Sequence, residues 1–421
     1  MQLLAPLADA GFPTYLVGPS ALDIYFGRRG RGANGGANGA DILWVETEAS
    51  LVDLTRLFDG ITFPGAEFFD AALDSVHRDG QRTPLWSGRT LVLFSCVEPG
   101  DALGVSAGWG TLQGTLQGSF RFEIGRGVFQ DPCTAYPHLR SASLQLHGDT
   151  NTDTNTDTDT AAAGVGAGNA GSSLFEIFEA ALLIARFGYK PPAAPVGAVG
   201  NRPALGEKAE PAQLSPIEQR FLLTGVLTGA HSAAALQFLK DSGFISVYWP
   251  LLEHMDEVHH SKEDHPEGNV WKHTLETFTH RKVYELELGL GLLLHDCGKP
   301  YARAQGGNRF DQHAQIGVQK TRRFLEDLQF PQRVIASAEY LVKHHMMPSA
   351  ISDLPTFRTE EVMASPLFPE LLELYRCDVS ATFRGPDSYY RACKTYRTFL
   401  KHQRNPFRSS DGKKRLRLLV E

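Results

Sequence analysis

The apolar run LELGLGLLL, which ends in the doublet His295 and Asp296, constrains the fold of this 421-residue chain more than any other segment. A run with so little charge predicts a helix that is buried on all sides, at the centre of a helical bundle. Gly298 and Pro300 follow closely and predict the end of this helix, with Gly298 as its C-cap. The doublet is therefore expected at the floor of a pocket, where buried charge needs a partner.

Further histidines and one acid on predicted helices join this doublet: His273, His313, the pair His344 and His345, and Asp378. A lone histidine is more often a core or surface residue than a ligand, but the joint pattern predicts a metal site. Imidazole and carboxylate donors without a thiolate favour Mn, Ni, Co, Fe or Mg over structural zinc, as one or two divalent ions.

Hydrolysis of a phosphate ester is the chemistry that such a site supports, because a bound metal lowers the pKa of water and stabilises charge on phosphoryl oxygens. Lys299 lies directly beyond the doublet and is expected to meet a phosphate oxygen. Lys299 and Asp296 are therefore the candidate catalytic residues. A second metal would use His313 and one of His344 or His345.

Strand-like segments are confined to the first third of the chain. YLVG from Tyr15 and DILWVET from Asp41 flank the helix-like ALDIYFG, and further strands are predicted at Thr90 to Val97 and Ser119 to Ile124. This pattern predicts a small α/β domain. After Ser215, a good N-cap, almost only helices are predicted.

Three segments of low complexity cannot pack a core and predict flexible insertions or linkers. They are the Gly/Asn-rich stretch between Gly27 and Asp41, residues 149–173, and the Pro/Gly-rich residues 191–213. The expected domains are residues 1–148, a linker at 149–173, a helical region at 174–258 and a metal-binding domain at 259–421.

Composition sets limits on partners and location. A formal net charge of -7 argues against indiscriminate nucleic-acid binding, yet a basic tail offers an alternative contact for RNA phosphates. Its charges are Lys413, Lys414, Arg415 and Arg417. Five scattered cysteines without a CxxC pair imply neither a disulfide framework nor a zinc knuckle. Neither a signal peptide nor an apolar run of about 20 residues is found, so a cytoplasmic protein without a membrane partner is expected.

The segments HPEGNVWKHTLE, LLLHDCGKP, FDQHAQIG and LVKHHMMP, followed by the isolated Asp378, resemble the HD domain of bacterial tRNA nucleotidyltransferases. These are the CCA-adding enzymes, which are related to poly(A) polymerases. The resemblance implies that the HD signature is His273, His295, Asp296 and Asp378, and that His313 and His345 are the additional ligands. Asn269 is a departure, since the family tends to have Asp there. The implied fold is multidomain: a small α/β nucleotidyltransferase-like head, an all-α neck and an all-α HD-domain bundle.

The head departs from the family pattern, which has a GG pair, an RD and a DxD whose carboxylates hold two metals. Gly18, Asp23 and Asp41 keep part of the nucleotide-binding pattern, whereas Pro19, Leu22 and Leu43 replace its other members. Glu46 lies three residues beyond Leu43, and odd spacing on a strand turns it to the other face. A weakened or inactive nucleotidyltransferase is the prediction.

Three functions stay open on the sequence. The first is a metal-dependent phosphohydrolase acting on nucleotide or RNA 3′-end phosphates, including those of tRNA, with a head retained for binding or scaffolding. The second is an active tRNA nucleotidyltransferase, and the third is a non-catalytic RNA-binding protein. Retention of all the HD ligands argues against the third, and the sequence leaves the oligomeric state open.

Overall fold

In a computed structural model, the chain forms two compact units, Met1–Tyr248 and Trp249–Glu421. The described residues are 2–27, 41–66, 69–74, 90–96, 120–131, 140–142, 174–191, 214–258, 268–302, 304–305, 309–310, 312–383 and 385–403. The Gly/Asn-rich insertion, the linker at 149–173, nearly all of 191–213 and the basic tail lie outside them. The predictions on those segments stay predictions.

A six-stranded mixed sheet forms the head, in the order β3-β4-β2-β1-β5-β6. Its strands are β1 (Thr14–Leu16), β2 (Asp41–Thr47), β3 (Ala71–Asp74), β4 (Thr90–Cys96), β5 (Arg121–Glu123) and β6 (Val128–Gln130). Strands β2 and β4 pair in parallel, with Asp41 opposite Thr90, and the other pairs are antiparallel. The predicted strands at Thr90 to Val97 and Ser119 to Ile124 correspond to β4 and β5.

Helices cover both faces of this sheet and continue into the neck. The helices of this unit are α1 (Ala5–Asp9), α2 (Gly18–Tyr25), α3 (Leu51–Leu57), α4 (Leu174–Phe187), α5 (Pro216–Leu227), α6 (Ser232–Asp241) and α7 (Phe244–Tyr248). Trp44 on one face of β2 packs edge-on against Phe178 of α4, and Phe94 on the other face packs against Phe58, directly after α3. Ser215 caps α5 through a reciprocal capping box with Glu218, as its position before Pro216 predicts.

In the residues that the structure describes, the second unit is helical apart from a small hairpin of β7 (Ala304–Gln305) and β8 (Arg309–Phe310). Its helices are α8 (Pro250–Glu253), α9 (Val270–Thr279), α10 (Leu286–Leu294), α11 (His313–Asp327), α12 (Gln332–His344), α13 (Met347–Ala350), α14 (Thr356–Ala364), α15 (Phe368–Ser380) and α16 (Asp387–Gln403). Short 3-10 turns lie at His254–Glu257 and Lys299–Tyr301. None of the helices in the described residues is both long enough and apolar enough to span a membrane.

Helix α10 lies among α9, α12 and α15, the central position that its apolar sequence predicts. Leu288 to Leu294 are all buried. A side chain at Gly291 would meet Leu341 of α12 at 2.8 Å and Leu374 of α15 at 2.9 Å. The absence of a side chain there therefore allows the three helices to approach closely.

The end of α10 differs from the prediction. The helix stops at Leu294, with His295 as its C-cap, and not at Gly298. Gly298 has φ -82°, outside the left-handed region that a glycine C-cap uses. The doublet therefore lies in the turn that follows the helix, where consecutive side chains can both face one pocket.

Candidate metal centre

The floor of the centre is the turn after α10, where His295 and Asp296 are both buried. The Nδ1–H of His295 donates to the carbonyl oxygen of Leu292 at 2.9 Å, which leaves Nε2 as the atom with a lone pair. This Nε2 is buried and accepts no hydrogen bond, and it lies 3.3 Å from Oδ2 of Asp296. A buried lone pair without a donor is expensive unless a cation binds there.

Helices α9 and α15 contribute one histidine and one acid that lie 105 residues apart in the chain. Nε2 of His273 is 2.9 Å from Oδ1 of Asp378. Asn269, the residue that departs from the family pattern, caps α9 by accepting from the backbone N–H of Lys272 at 2.8 Å. It also donates to the Asp256 carboxylate at 2.7 Å, so its role here is to fix the start of the helix that carries His273.

Helices α11 and α12 supply the other two imidazoles. The Nδ1–H of His345 donates to the carbonyl oxygen of Val342 at 2.7 Å, the same arrangement as at His295. Nε2 of His345 then faces Nε2 of His313 at 3.1 Å. His344 lies away from this cluster, with its ring 4.9 Å from that of Tyr340.

These side chains form two groups that could each hold one metal ion. One consists of His273, His295 and Asp296, the other of Asp296, His313 and His345, and the donor atoms within each group lie within 4.8 Å of one another. Two nitrogens bound to one ion at about 2.1 Å and at right angles would be about 3 Å apart. The Nε2 atoms of His313 and His345 are separated by nearly this distance, 3.1 Å. Asp296 is common to both groups, one carboxylate oxygen facing each. The donor set therefore fits one or two divalent ions.

The carboxylates of the centre are ionised despite their burial. Burial opposes ionisation of Asp296, but Lys299 and the surrounding histidines hold its pKa well below the usual range. Burial likewise opposes ionisation of Asp378, whose pKa the hydrogen bond and charge of His273 lower. Burial lowers the pKa of His345 to about 4, so its imidazole is neutral near pH 7. All three groups are thus in the protonation state that metal binding requires.

Lys299, which was expected to meet a phosphate oxygen, donates from Nζ to Oδ2 of Asp296 at 2.6 Å. Its side chain is 13% exposed, as is that of His313, and that of Asp378 is 20% exposed. The side chains of His273, His295 and His345 are each 1% exposed. The centre therefore opens to solvent on the side of Lys299, His313 and Asp378.

Sequence motifs missed the backbone groups that orient the ligands. The carbonyls of Leu292 and Val342 each lie three residues before a ligand histidine and select its tautomer. The only signal for them is that both histidines directly follow the last turn of a helix. Gly298 was also misjudged, because its function is to let the turn after α10 touch α11. An added Cβ there would lie 2.6 Å from the backbone nitrogen of Gly317.

The three residues predicted for nucleotide binding lie at the start of α2, within α2 and at the start of β2. Gly18 starts α2 with φ 54°, a left-handed value that favours glycine. Both oxygens of Asp23 accept from Arg186 of α4, at 2.8 and 2.6 Å. Asp41 is the first residue of β2, two positions before Leu43. Glu46 points to the face opposite to that of Leu43 and lies 3.7 Å from Arg121.

Comparisons with known proteins agree with the resemblance inferred above. Residues 270–381 match the family described as HD domain. A 175-residue segment is 31% identical to the CC-adding tRNA nucleotidyltransferase of Thermus thermophilus, covering 38% of each chain. A 113-residue segment is 29% identical to the multifunctional CCA protein of Halorhodospira halophila, covering 26% of this chain and 27% of that one. The matched part thus spans well under half the length of these relatives.

The Bacillus stearothermophilus CCA-adding enzyme in complex with CTP superposes on the chain with a TM-score of 0.48 and 15% identity, covering 95% of this chain and 81% of that one. Residues 270–381 therefore match the HD domain, and segments of the chain are similar in sequence to a tRNA nucleotidyltransferase and to multifunctional CCA proteins.

Proposed function

We propose that the HD domain is a metal-dependent phosphohydrolase. It would hydrolyse a phosphate monoester, or a cyclic phosphodiester, at the 3′ end of a nucleotide or an RNA. The observation that carries this proposal is the position of Asp296, one oxygen of which lies towards each of two groups of imidazole ligands. Two ions that share a carboxylate are suited to activating a water and holding a phosphoryl oxygen at the same time.

Each side chain of the centre has a definite part in this proposal. His273, His295, Asp296 and Asp378 would hold one ion, and Asp296, His313 and His345 the other. The donors suit Mn, Ni, Co or Mg. When bound, such an ion supplies a water of lowered pKa and neutralises charge on the phosphate. Lys299 has three N–H donors and uses one on Asp296, so it can donate another to a phosphate oxygen at the open side of the centre.

Hydrolysis is tested on the full chain with a general phosphodiester and with 2′,3′-cyclic nucleotides, after chelation and readdition of Mn, Ni, Co or Mg. His345→Ala is expected to lower the rate at least about 100-fold, since it removes a ligand from a buried position. His344→Ala is the matched control, because the adjacent histidine lies outside the cluster. Equal rates for the two variants would contradict the assignment, and metal-independent hydrolysis would contradict the mechanism.

Nucleotidyl transfer to tRNA is the second candidate function, and the comparisons support it at least as well as hydrolysis. The relatives are named as tRNA nucleotidyltransferase and multifunctional CCA protein. The argument against nucleotidyl transfer is that Leu43 replaces the second carboxylate of the family pattern. Asp41 is then the single carboxylate where metal-dependent transfer normally uses two. Glu46 faces the other side of the strand and is bound to Arg121.

A tRNA that lacks its 3′ end, incubated with labelled CTP and ATP, separates the two functions. Incorporation that is lost in Asp41→Asn and retained in His345→Ala would establish an active head and overturn the prediction of inactivity. No incorporation, together with metal-dependent hydrolysis, would leave the HD domain as the active part.

A further inference from the structure

Lys320 of α11 is a half-buried cation. Its Nζ lies 3.9 Å from the centre of the Tyr301 ring. No acid in the described part of the chain lies within ion-pair distance of it, whereas Lys299 is bound to Asp296. Attraction to an aromatic face offsets only part of the cost of removing an ammonium from water. An anion from outside the chain would offset the rest.

Lys320 and Tyr301 lie beyond the metal centre on two segments that touch, each about one turn past the contact between Gly298 and Gly317. The backbone of Gly298 meets α11 at Gly317, and Tyr301 and Lys320 each follow their contact residue by three positions. The Cα atom of Lys320 lies about 10 Å along the helix axis from that of His313, at a rise of about 1.5 Å per residue. Helical side chains lean towards the N-terminus, so its ammonium is carried back towards the centre.

The two residues offer the chemistry of a phosphate site. An ammonium is a compact charge that binds phosphate, and the side chain of Tyr301 has a hydroxyl. Tyr301 is 38% exposed, so this position is accessible to solvent. The Tyr301 ring is already covered by Lys320, and the His254 ring lies 5.9 Å away, which favours a phosphate over a stacked base.

We propose that Lys320, positioned by Tyr301, binds a second phosphate of the substrate, one linkage away from the phosphate at the metal centre. The inference rests on the proposed function and narrows it: the substrate is an oligonucleotide 3′ end, which carries such a second phosphate, and not a free mononucleotide. Lys320 is then a specificity residue, and Lys299 and the metal ligands act on the reacting phosphate.

The test uses the full chain and measures both binding and turnover. The probes are a dinucleotide and a mononucleoside, each prepared in two forms. The form with a 3′-phosphate is used for binding by fluorescence anisotropy, and the form with a 2′,3′-cyclic phosphate is used for turnover. The dinucleotide is expected to bind more tightly than the mononucleoside. Lys320→Gln should lower the ratio of dinucleotide to mononucleoside affinity about tenfold, and should lower the salt slope of dinucleotide binding by about one. Lys320→Arg should retain the ratio.

Arg323→Gln is the matched control, since Arg323 lies on the same helix with 86% of its side chain exposed. Its ratio should equal that of the natural chain. A dinucleotide preference that Lys320→Gln leaves unchanged, or no preference at all in the natural chain, would overturn the inference. Binding that depends on Lys320 without any hydrolysis would instead retain the second phosphate site and reject the proposed phosphohydrolase.

Discussion

Replacing Gly298 by alanine tests how the turn after α10 and helix α11 together shape the metal centre. A Cβ at this position would lie 2.6 Å from the nitrogen of Gly317 and 2.9 Å from the carbonyl carbon of His313, whereas ordinary contacts begin at 3.4 Å. These are backbone atoms, so no change of rotamer removes the overlap. The carbonyl oxygen of His313 would be nearer still, so the two segments must separate by more than about 0.8 Å, the value that the Gly317 distance alone requires.

This separation acts directly on the second group of ligands. Nε2 of His313 lies 3.6 Å from Oδ1 of Asp296, and the two residues are carried by the two segments that move apart. Metal–ligand distances vary by only about 0.2 Å between functional sites, so the shift exceeds this tolerance several-fold. Gly298→Ala is expected to cost about 1–3 kcal/mol of unfolding free energy and to weaken binding of the ion between Asp296 and His313 at least about tenfold.

Urea denaturation and calorimetric titration of the metal-free chain with Mn measure these two effects. Gly385→Ala is the matched control in the same unit, because no atom lies within 4 Å of its added Cβ. Its effect should be neutral or stabilising by about 0.4–1 kcal/mol. A Gly298→Ala protein with the stability and the metal stoichiometry of the natural chain would refute the reasoning.

Two further predictions concern charge. In the metal-free protein, His345 has a pKa of about 4 when folded and an ordinary value when unfolded, so the unfolded chain binds more protons between these values and stability falls as pH decreases from about 6.5 to about 4. Burial raises the pKa of Glu370 to about 7, so this group makes stability depend on pH in the opposite direction. The measurement is therefore the difference in urea stability between the natural chain and His345→Gln. This difference should shrink by up to about 3 kcal/mol between about pH 6.5 and about pH 4, and a constant difference would contradict the prediction. In the head, Arg186→Met should lower the free energy of unfolding by about 1–2 kcal/mol, because it leaves Asp23 without its partly exposed ion-pair partner. Adding Asp23→Leu to this variant should restore part of the lost stability. Thermal unfolding measures both effects, and an unchanged melting temperature in Arg186→Met would show that the ion pair is unimportant.

Sequence patterns were sufficient for the helices and for which side chains gather at the centre. The apolar run of α10 indicated a central helix, and the order of histidines and acids indicated one cluster. In the structure His273, His295 and Asp296 have donor atoms within 4.8 Å of one another, and Nε2 of His273 lies 2.9 Å from Oδ1 of Asp378. The choice between His344 and His345 needed the resemblance, because two adjacent histidines differ only in the direction of their side chains.

What the sequence left out depends on backbone contacts between distant segments. Gly298 followed by Pro300 is a reasonable signal for a helix end, yet here the missing side chain is used for contact with α11 and the helix has already stopped at Leu294. The partner of Lys299 was missed for a related reason. A carboxylate three residues earlier is within reach only because the intervening turn brings both side chains to the same side.

The head and the HD domain differ in whether their buried charges already have partners within the chain. In the head, Asp23 is bound on both oxygens by Arg186, and Glu46 lies beside Arg121, so each acid is compensated by a cation of the fold. In the HD domain, Nε2 of His295 is buried without a hydrogen bond, and two imidazole nitrogens face each other at 3.1 Å. A buried lone pair such as that of His295 Nε2 is stabilised by a bound cation, and the His313–His345 pair can exchange its mutual hydrogen bond for the same kind of contact. Asp23 and Glu46 of the head each have a cation of the fold beside them, whereas the donor set of the HD centre is suited to an added cation, which is why metal dependence is the first property to test.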